Sequence, residues 1–266
     1  MRQVNNDRIN TTYMQSIDLN CDMGEAFGNY PMPNDDLLMD YITSANIACG
    51  FHAGDPEVMQ HTVNMAVKKG VAIGAHPGLP DLQGFGRRDM KISNNEAYQM
   101  TMYQIGALSG FVKAAHGKLH HVKAHGALYN MAAKDAGLAK AIVEAVHDFD
   151  STLILYALAG SEMIAAAQKI GLATASEVFA DRTYQDDGSL TPRTQSNALI
   201  TDEQQSINQV MLMVKQQQVI SANKKTIPLK AETLCLHGDG AHPVEFAKMI
   251  GEKLKSEGIS IKAPSA

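Results

Sequence analysis

The sequence lacks several features that mark common classes of protein. Its 266 residues contain no tryptophan, three cysteines without a CxxC pair, and no run of 18 apolar residues. Three cysteines are too few for a disulfide scaffold, so we expect a reducing compartment, the cytoplasm. Because the chain has no apolar run of that length, we expect no membrane span. The 23 basic and 28 acidic residues give a net charge of −5 without a basic block. That balance argues against nucleic acid and anionic membranes as partners.

Short catalytic motifs are also missing. The chain has no GxxxxGK[ST] sequence, no GxGxxG after an apolar run, no HExxH and no GxSxG. These absences remove support for a P-loop NTPase, a nicotinamide enzyme, a zincin or a serine hydrolase. The composition is 45% hydrophobic and 19% charged, which is typical of a folded globular chain.

The sequence does have a repeated two-part unit, in which a short apolar run precedes a polar cluster and usually a helical pattern. Several runs are continuously apolar, as is typical of parallel strands buried on both faces. The seven runs cover residues 16–20, 44–49, 71–75, 121–124, 152–158, 175–179 and 233–236. Strands that alternate with helices predict an α/β fold with a parallel sheet.

Two arrangements of such a sheet are possible, an open doubly wound sheet and a closed barrel. The first strand is followed by an acidic segment with Asp22 and Glu25, where an open sheet usually has a glycine-rich phosphate loop. Polar clusters follow essentially every strand, and in a barrel all such loops meet at one mouth. We therefore predict a single seven-stranded (β/α) barrel over residues 14–266, preceded by a polar tail at 1–13.

Helix starts are marked as well. Asp55 precedes Pro56 as a capping carboxylate precedes a first-turn proline, and a short helix is expected over about 35–42. Two segments, 93–96 and 201–204, have the spacing of a capping box, with Ser93 and Thr201 as the caps.

The polar clusters contain most of the chemistry. Four of the ten histidines follow strands and adjoin glycine or proline: His52, His76, His125 and His237. A barrel would bring them together with the carboxylates of Asp22, Glu25, Asp181 and Asp239. Imidazoles and carboxylates together can transfer protons, bind a divalent metal or activate water. We interpret five further histidines as structural and the cysteines as packing groups: His61, His116, His120, His121, His147, Cys21, Cys49 and Cys235.

Seven stretches of the chain resemble the LamB/YcsF family. They cover residues 17–30, 44–56, 70–88, 103–108, 121–135, 177–193 and 235–243. The resemblance implies a distorted TIM-like barrel of the glycoside hydrolase/deacetylase type. It also implies cleavage of 5-oxo-L-proline to L-glutamate coupled to ATP hydrolysis, together with partner subunits B and C. ATP, with Mg²⁺, would be a co-substrate of the complex, and no tightly bound cofactor is expected.

The clusters and the resemblance together give two sets of candidate site residues. The candidate catalytic residues are Asp22, Glu25, His52, His76, Lys123, His125, Asp181 and Asp239. The candidate substrate-binding residues are Asn20, Asn46, Gly50, Arg88, Glu177, Arg182 and His237. We expect a carboxylate to act as base toward water, and an imidazole or Lys123 to protonate the ring nitrogen or stabilise an oxyanion. Arg88 or Arg182 would pair with a substrate carboxylate or phosphate.

Two alternatives remain open from the sequence. In the first, Asp22, His52 and His76 hold a metal ion, and the chain acts alone as a metal-dependent deacetylase or amidohydrolase. In the second, the chain is a non-catalytic subunit that delivers oxoproline to a partner. An assay of the chain alone and with candidate subunits B and C would separate these possibilities.

Overall fold

The computed structural model describes residues 16–236 and 243–265, and within them each of the seven expected runs is a strand. The strands, in chain order, are β1 (Ser16–Met23), β2 (Ser44–Ala48), β3 (Ala72–His76), β4 (Leu119–Lys123), β5 (Ile154–Leu158), β6 (Ala173–Phe179), β7 (Gln218–Ile220), β8 (Thr226–Pro228), β9 (Thr233–Leu236) and β10 (Ser260–Ile261). The tail at 1–13 and two candidate site residues, His237 and Asp239, lie outside the described residues.

Seven parallel strands form a closed ring in the order β1, β2, β3, β4, β5, β6, β9 and back to β1. The ring closes at β1, where Asn20 aligns with Ser44 on β2 and with Cys235 on β9. The predicted seven-stranded barrel is therefore confirmed, and an open sheet is excluded.

Helices cover the outside of the ring. The helices within the described residues are α1 (Asp35–Leu38), α2 (Pro56–Lys69), α3 (Asn94–Ala114), α4 (Gly126–Ala132), α5 (Ala136–Phe149), α6 (Glu162–Ile170), α7 (Glu203–Gln216) and α8 (Pro243–Ser256). Among them, no helix combines the length and apolar character needed to cross a membrane.

The helix caps follow from local sequence. The Asp55 side chain accepts hydrogen bonds from two main-chain N–H groups of α2, and Ser93 with Glu96 forms the expected capping box of α3. The prediction for α7 was wrong by one residue. Asp202, not Thr201, is its N-cap, because the Asp202 carboxylate accepts from the N–H of Gln205 at 2.6 Å.

The two faces of β1 show how the barrel is packed. Its apolar residues, among them Leu19 and Met23, belong to the main hydrophobic core with the helices. The alternate residues Asp18, Asn20 and Asp22 have hydrogen-bond partners on other strands of the ring. Because successive strand residues point to opposite faces, these polar groups fill the interior of the barrel.

The buried polar groups of the interior satisfy one another. Oδ1 of Asp18 accepts from Thr43 at 2.6 Å and from Ser44 at 2.8 Å, and its Oδ2 accepts from Thr233 at 2.5 Å. The Ser44 hydroxyl also lies 3.1 Å from the Tyr156 hydroxyl. Buried polar groups need such partners, and here they make the barrel interior a connected network instead of an apolar core.

Three strands were not expected from the sequence. β7 and β8 form an antiparallel hairpin apart from the ring, and β10 pairs in parallel with β1 at Ser16 and Ile17. Each is two or three residues long, which is too short to show a periodic apolar pattern.

Candidate active site

Six of the eight candidate catalytic residues meet at the carboxyl-terminal ends of the strands or in the loops that follow them. Asp22 lies near the end of β1, and His76 and Lys123 are the last residues of β3 and β4. Glu25 and His52 lie in the loops after β1 and β2, and His125 precedes α4. Loops after parallel barrel strands form one mouth, which is where barrel enzymes place their active sites.

Lys123 lies at the base of this mouth. Its side chain is buried, and Nζ lies 2.9 Å from Oδ1 of Asp22 and 2.8 Å from Oε1 of Glu177. The other carboxylate oxygen of Glu177 accepts from the Tyr129 hydroxyl at 2.7 Å. Asn46 adds an N–H donor to Oδ1 of Asp22 at 2.9 Å. One buried cation thus holds two carboxylates in fixed positions.

Charge pairing sets the protonation of this pair. Burial acts to raise the pKa of the Asp22 carboxyl, but His76 and Lys123 outweigh it and hold that pKa well below its usual value. Burial acts to lower the pKa of Lys123, but Asp22 and Glu177 contribute to holding it well above its usual value. The structure therefore favours a carboxylate at Asp22 and an ammonium at Lys123.

Three imidazoles surround the carboxylate of Glu25. Its Oε1 atom lies 3.2 Å from Nε2 of His52, 3.3 Å from Nδ1 of His125 and 3.9 Å from Nε2 of His76. His76 also approaches Asp22, with Nε2 to Oδ2 at 3.2 Å. Burial lowers the pKa of His52 and of His125 well below the usual value, and it raises the pKa of Glu25.

Two glycines make room for these rings. Gly86 has a φ of +63°, and a Cβ there would lie 2.7 Å from Cβ of His52 and 2.8 Å from Cδ2 of His125. A Cβ on Gly78 would lie 2.5 Å from Nδ1 of His52. A side chain at either position would displace the imidazoles, so the site favours glycine at both.

A cavity of about 860 Å³ opens beside the cluster, and Asp22, His76, Lys123 and His125 form part of its wall. Its size lies within the roughly 300–1,000 Å³ typical of small-molecule sites. Cationic side chains also line it: Arg87, Arg88, Lys134, Arg182 and Arg193. A second cavity of about 650 Å³, lined by Thr43, Val71 and Lys118, lies at the opposite ends of the strands, away from the imidazoles.

The two asparagines among the candidate substrate-binding residues lie beneath the site. The Nδ2 atom of Asn46 donates to Oδ1 of Asn20 at 2.8 Å, and Oδ1 of Asn20 also accepts from Lys123 at 3.2 Å. Both side chains are buried, and these bonds position Asp22 and Lys123. Gly50 lies in the loop before His52, with a left-handed φ of +89°.

The two candidate arginines already have protein partners. Nε of Arg88 lies 2.9 Å from Oδ1 of Asp81. Arg182 donates to the main-chain oxygens of Thr191 at 2.7 Å and Ala198 at 3.3 Å, which braces the loop after β6. Asp181 lies half-buried in the same loop and is absent from the described residues that line the cavity.

Other residues that support the site were not singled out from the sequence. Tyr129 holds Glu177, and the main-chain oxygen of Phe85 accepts from His125. His121, interpreted as structural, is buried inside the barrel, where its Nε2 donates to Asn46 at 2.8 Å. Nothing in a sequence marks a main-chain oxygen, whereas Tyr129 lies in a stretch that carries the family resemblance.

Among the residues that the structure describes, one set of side chains groups as potential metal ligands: Glu25, His52, His76 and His125. Each offers one ligand atom, and these atoms all lie within 4.8 Å of one another. This set shares His52 and His76 with the one considered from the sequence, but it contains Glu25 and His125 instead of Asp22.

Comparison with known proteins gives the site its family context. The sequence pattern of the LamB/YcsF family matches residues 17–266. The chain belongs to the LamB/YcsF family. A relative from Brevibacillus brevis, named as the A subunit of 5-oxoprolinase, is 58% identical over 250 residues, which is 94% of this chain and 98% of that protein. The protein of the same name from Bacillus subtilis is 57% identical over 252 residues, covering 95% of this chain and 98% of its own length.

A solved structure agrees with the fold. The lactam utilization protein from Thermus thermophilus superposes with a TM-score of 0.87 at 41% identity. The superposition covers 94% of this chain and 100% of the Thermus thermophilus protein. The TIM-like barrel is therefore common to this LamB/YcsF member and the solved lactam utilization protein.

Proposed function

We propose that the chain is the A subunit of an ATP-dependent 5-oxoprolinase, which opens the lactam ring of 5-oxo-L-proline to give L-glutamate. The names of its relatives support this role, since full-length proteins 58% identical to it are named as that subunit of 5-oxoprolinase. The observation that carries the proposal is the Asp22 carboxylate, held by Lys123 at 2.9 Å on the wall of a cavity with cationic side chains.

The reaction requires activation of a stable amide. ATP would phosphorylate the lactam oxygen and release ADP, which makes the ring carbon a better acceptor for water. Water then adds to that carbon, the ring C–N bond breaks, and the nitrogen takes up a proton. The resulting acyl phosphate reacts with a second water to give glutamate and phosphate.

Asp22 is suited to the proton transfers of ring opening. Its lowered pKa favours the carboxylate form and it reaches the cavity wall, so it would accept a proton from the attacking water. The same carboxyl group would then donate that proton to the departing ring nitrogen. Lys123 would keep Asp22 in place and offset the negative charge that develops on the substrate.

The cationic residues of the cavity match the charges of the substrates. Oxoproline carries a carboxylate, and its phosphorylated form carries a phosphate as well. Arg87 and Lys134 are exposed at the cavity wall, so they are better placed for these anions than Arg182, which is buried and bonded to main-chain oxygens. Subunits B and C, with ATP and Mg²⁺, would complete the enzyme.

The proposal is tested by measuring glutamate formation from 5-oxoproline with the chain alone and with candidate B and C subunits, with and without ATP. We expect turnover only when every component of the complex and ATP are present. Turnover by the chain alone without ATP would instead favour a hydrolase that acts by itself. Full activity of a complex that lacks the chain would refute the proposal.

A further inference from the structure

The hydrogen bonds of His76 and His125 fix which ring nitrogens carry hydrogen. Nδ1 of His76 lies 2.7 Å from the main-chain oxygen of Lys123, and Nε2 of His125 lies 2.8 Å from the main-chain oxygen of Phe85. A carbonyl oxygen only accepts, so each of these nitrogens is an N–H donor. In the neutral imidazoles, the lone pairs are then on Nε2 of His76 and Nδ1 of His125.

These two lone pairs face each other. Nε2 of His76 and Nδ1 of His125 are 2.9 Å apart, and Oε1 of Glu25 lies 3.9 and 3.3 Å from them. Three electron-donating atoms therefore converge on one point, and an arrangement of this kind requires a positive charge between them. A shared proton or a metal ion could supply that charge.

The separations fit a metal ion. Two ligands about 2.1 Å from an ion, at roughly 90–110° to each other, lie about 3.0–3.4 Å apart. Two of the three observed separations are within about 0.1 Å of that range, and the third corresponds to a wider angle. Both imidazoles also donate their other N–H to a main-chain oxygen, which is the usual outer contact of a metal-bound histidine.

His52 differs from the other two imidazoles. Its ring stacks on that of His125, with an interplanar angle of 4° and 3.6 Å between the ring centroids. An ion that lies in the plane of the His125 ring therefore lies outside the plane of the His52 ring. Its buried Nδ1 has no hydrogen-bond partner among the described residues. Nε2 of His52 therefore carries the proton and donates to Glu25 at 3.2 Å, as a group that orients a ligand.

We propose that Glu25 Oε1, His76 Nε2 and His125 Nδ1 bind one first-row transition-metal dication, with Asp22 beside it and His52 as an outer hydrogen-bond donor. Nitrogen and carboxylate ligands of this kind suit Zn²⁺, Co²⁺ or Fe²⁺ better than Mg²⁺ or Ca²⁺. A bound ion would polarise an oxygen atom next to Asp22. The inference goes beyond the proposed function, because the isolated chain should bind the ion without ATP or partner subunits.

Metal binding by the purified full-length chain tests this inference. After removal of metal with a chelator, the protein is titrated with Zn²⁺ and Co²⁺ by calorimetry, and bound metal is counted after gel filtration. We expect about one ion per chain, and an affinity for Zn²⁺ roughly 100-fold or more lower in Glu25→Gln and His125→Ala. His52→Gln should lose only about tenfold. His61→Ala is a matched control, because His61 is an exposed histidine of α2 that pairs with Asp36 of α1 and is not part of the proposed site.

X-ray absorption of the zinc-loaded wild-type chain gives a second readout that needs no variant to fold. We expect two imidazole ligands. No bound zinc, a count of three imidazoles, or unchanged affinity in a folded Glu25→Gln variant would overturn the inference. Glutamate formation is measured separately, so a chain that binds zinc but supports no turnover refutes the proposed function and leaves the metal site standing.

Discussion

Nζ of Lys123 lies 2.9 Å from Oδ1 of Asp22, where the polar interior of the barrel opens into the cavity. The same ammonium lies 2.8 Å from Glu177, which is fully buried. Lys123 therefore links the carboxylate that faces the cavity to one that solvent does not reach. This link makes the site part of the folded core, so changes here should affect stability as well as chemistry.

Replacing Lys123 by methionine should destabilise the fold. Lys123→Met leaves Asp22 and Glu177 without their shared cation, and loss of one partner of a buried ion pair costs about 3–5 kcal/mol. Adding Glu177→Gln should recover part of the loss. Unfolding in denaturant measures both effects. The control is Lys134→Met, at an exposed residue of the cavity wall, which we expect to change the free energy of unfolding by less than about 0.5 kcal/mol. Equal stability of Lys123→Met and wild type would refute this role.

A side chain at Gly86 should destabilise the fold. Alanine at a φ of +63° is strained, and its Cβ would press on His52 and His125, so we expect Gly86→Ala to cost about 3 kcal/mol or more. Gly160 has a φ of +77° but open space around it, so Gly160→Ala should cost only about 1–2 kcal/mol. Thermal unfolding of the two variants separates backbone strain from contact with the imidazoles. Equal losses would show that the contact with the rings is unimportant.

Stability should depend on pH through Asp35. The pKa of Asp35 is raised to about 6, chiefly by burial, and the charges of Glu25 and Asp36 contribute to the rise. The hydrogen bond from Gly24 N and the charge of His61 act in the opposite direction. An acid whose pKa is raised in the folded state stabilises the fold when protonated, and this contribution is lost as pH rises from about 4 to 6.

The variant Asp35→Asn lacks this titration. Its free energy of unfolding relative to wild type should therefore rise by up to about 2 kcal/mol between pH 4 and 6 and stay level above pH 7. Denaturant unfolding across this pH range makes the measurement. A relative stability that falls, or stays flat, from pH 4 to 6 would contradict the assignment.

Local signals were enough to predict most of the architecture. The seven ring strands and the caps at Asp55 and Ser93 depend on a few neighbouring residues, and all were confirmed. Convergence of loops at one mouth also follows from a barrel, so Asp22, Glu25 and three histidines could be expected to meet. The hairpin of β7 and β8 was missed because its strands are too short to show a pattern.

The finer arrangement of the site depends on three-dimensional geometry. The partners of Arg88 and Arg182 are set by the paths of loops, and the sequence does not encode those paths in any local signal. The separate roles of His52 and His125 depend on ring orientation and on the main-chain oxygen of Phe85. Sequence spacing placed both imidazoles at the mouth without distinguishing them.

The most direct test of the account is the rate of glutamate formation by the reconstituted complex that contains Asp22→Asn. Asparagine keeps the shape of Asp22 but does not accept a proton, so we predict a rate at least about 100-fold lower than wild type. Asp89→Asn, an exposed carboxylate on the same cavity wall, should leave the rate within about twofold. A folded Asp22→Asn complex with a near wild-type rate would contradict the account.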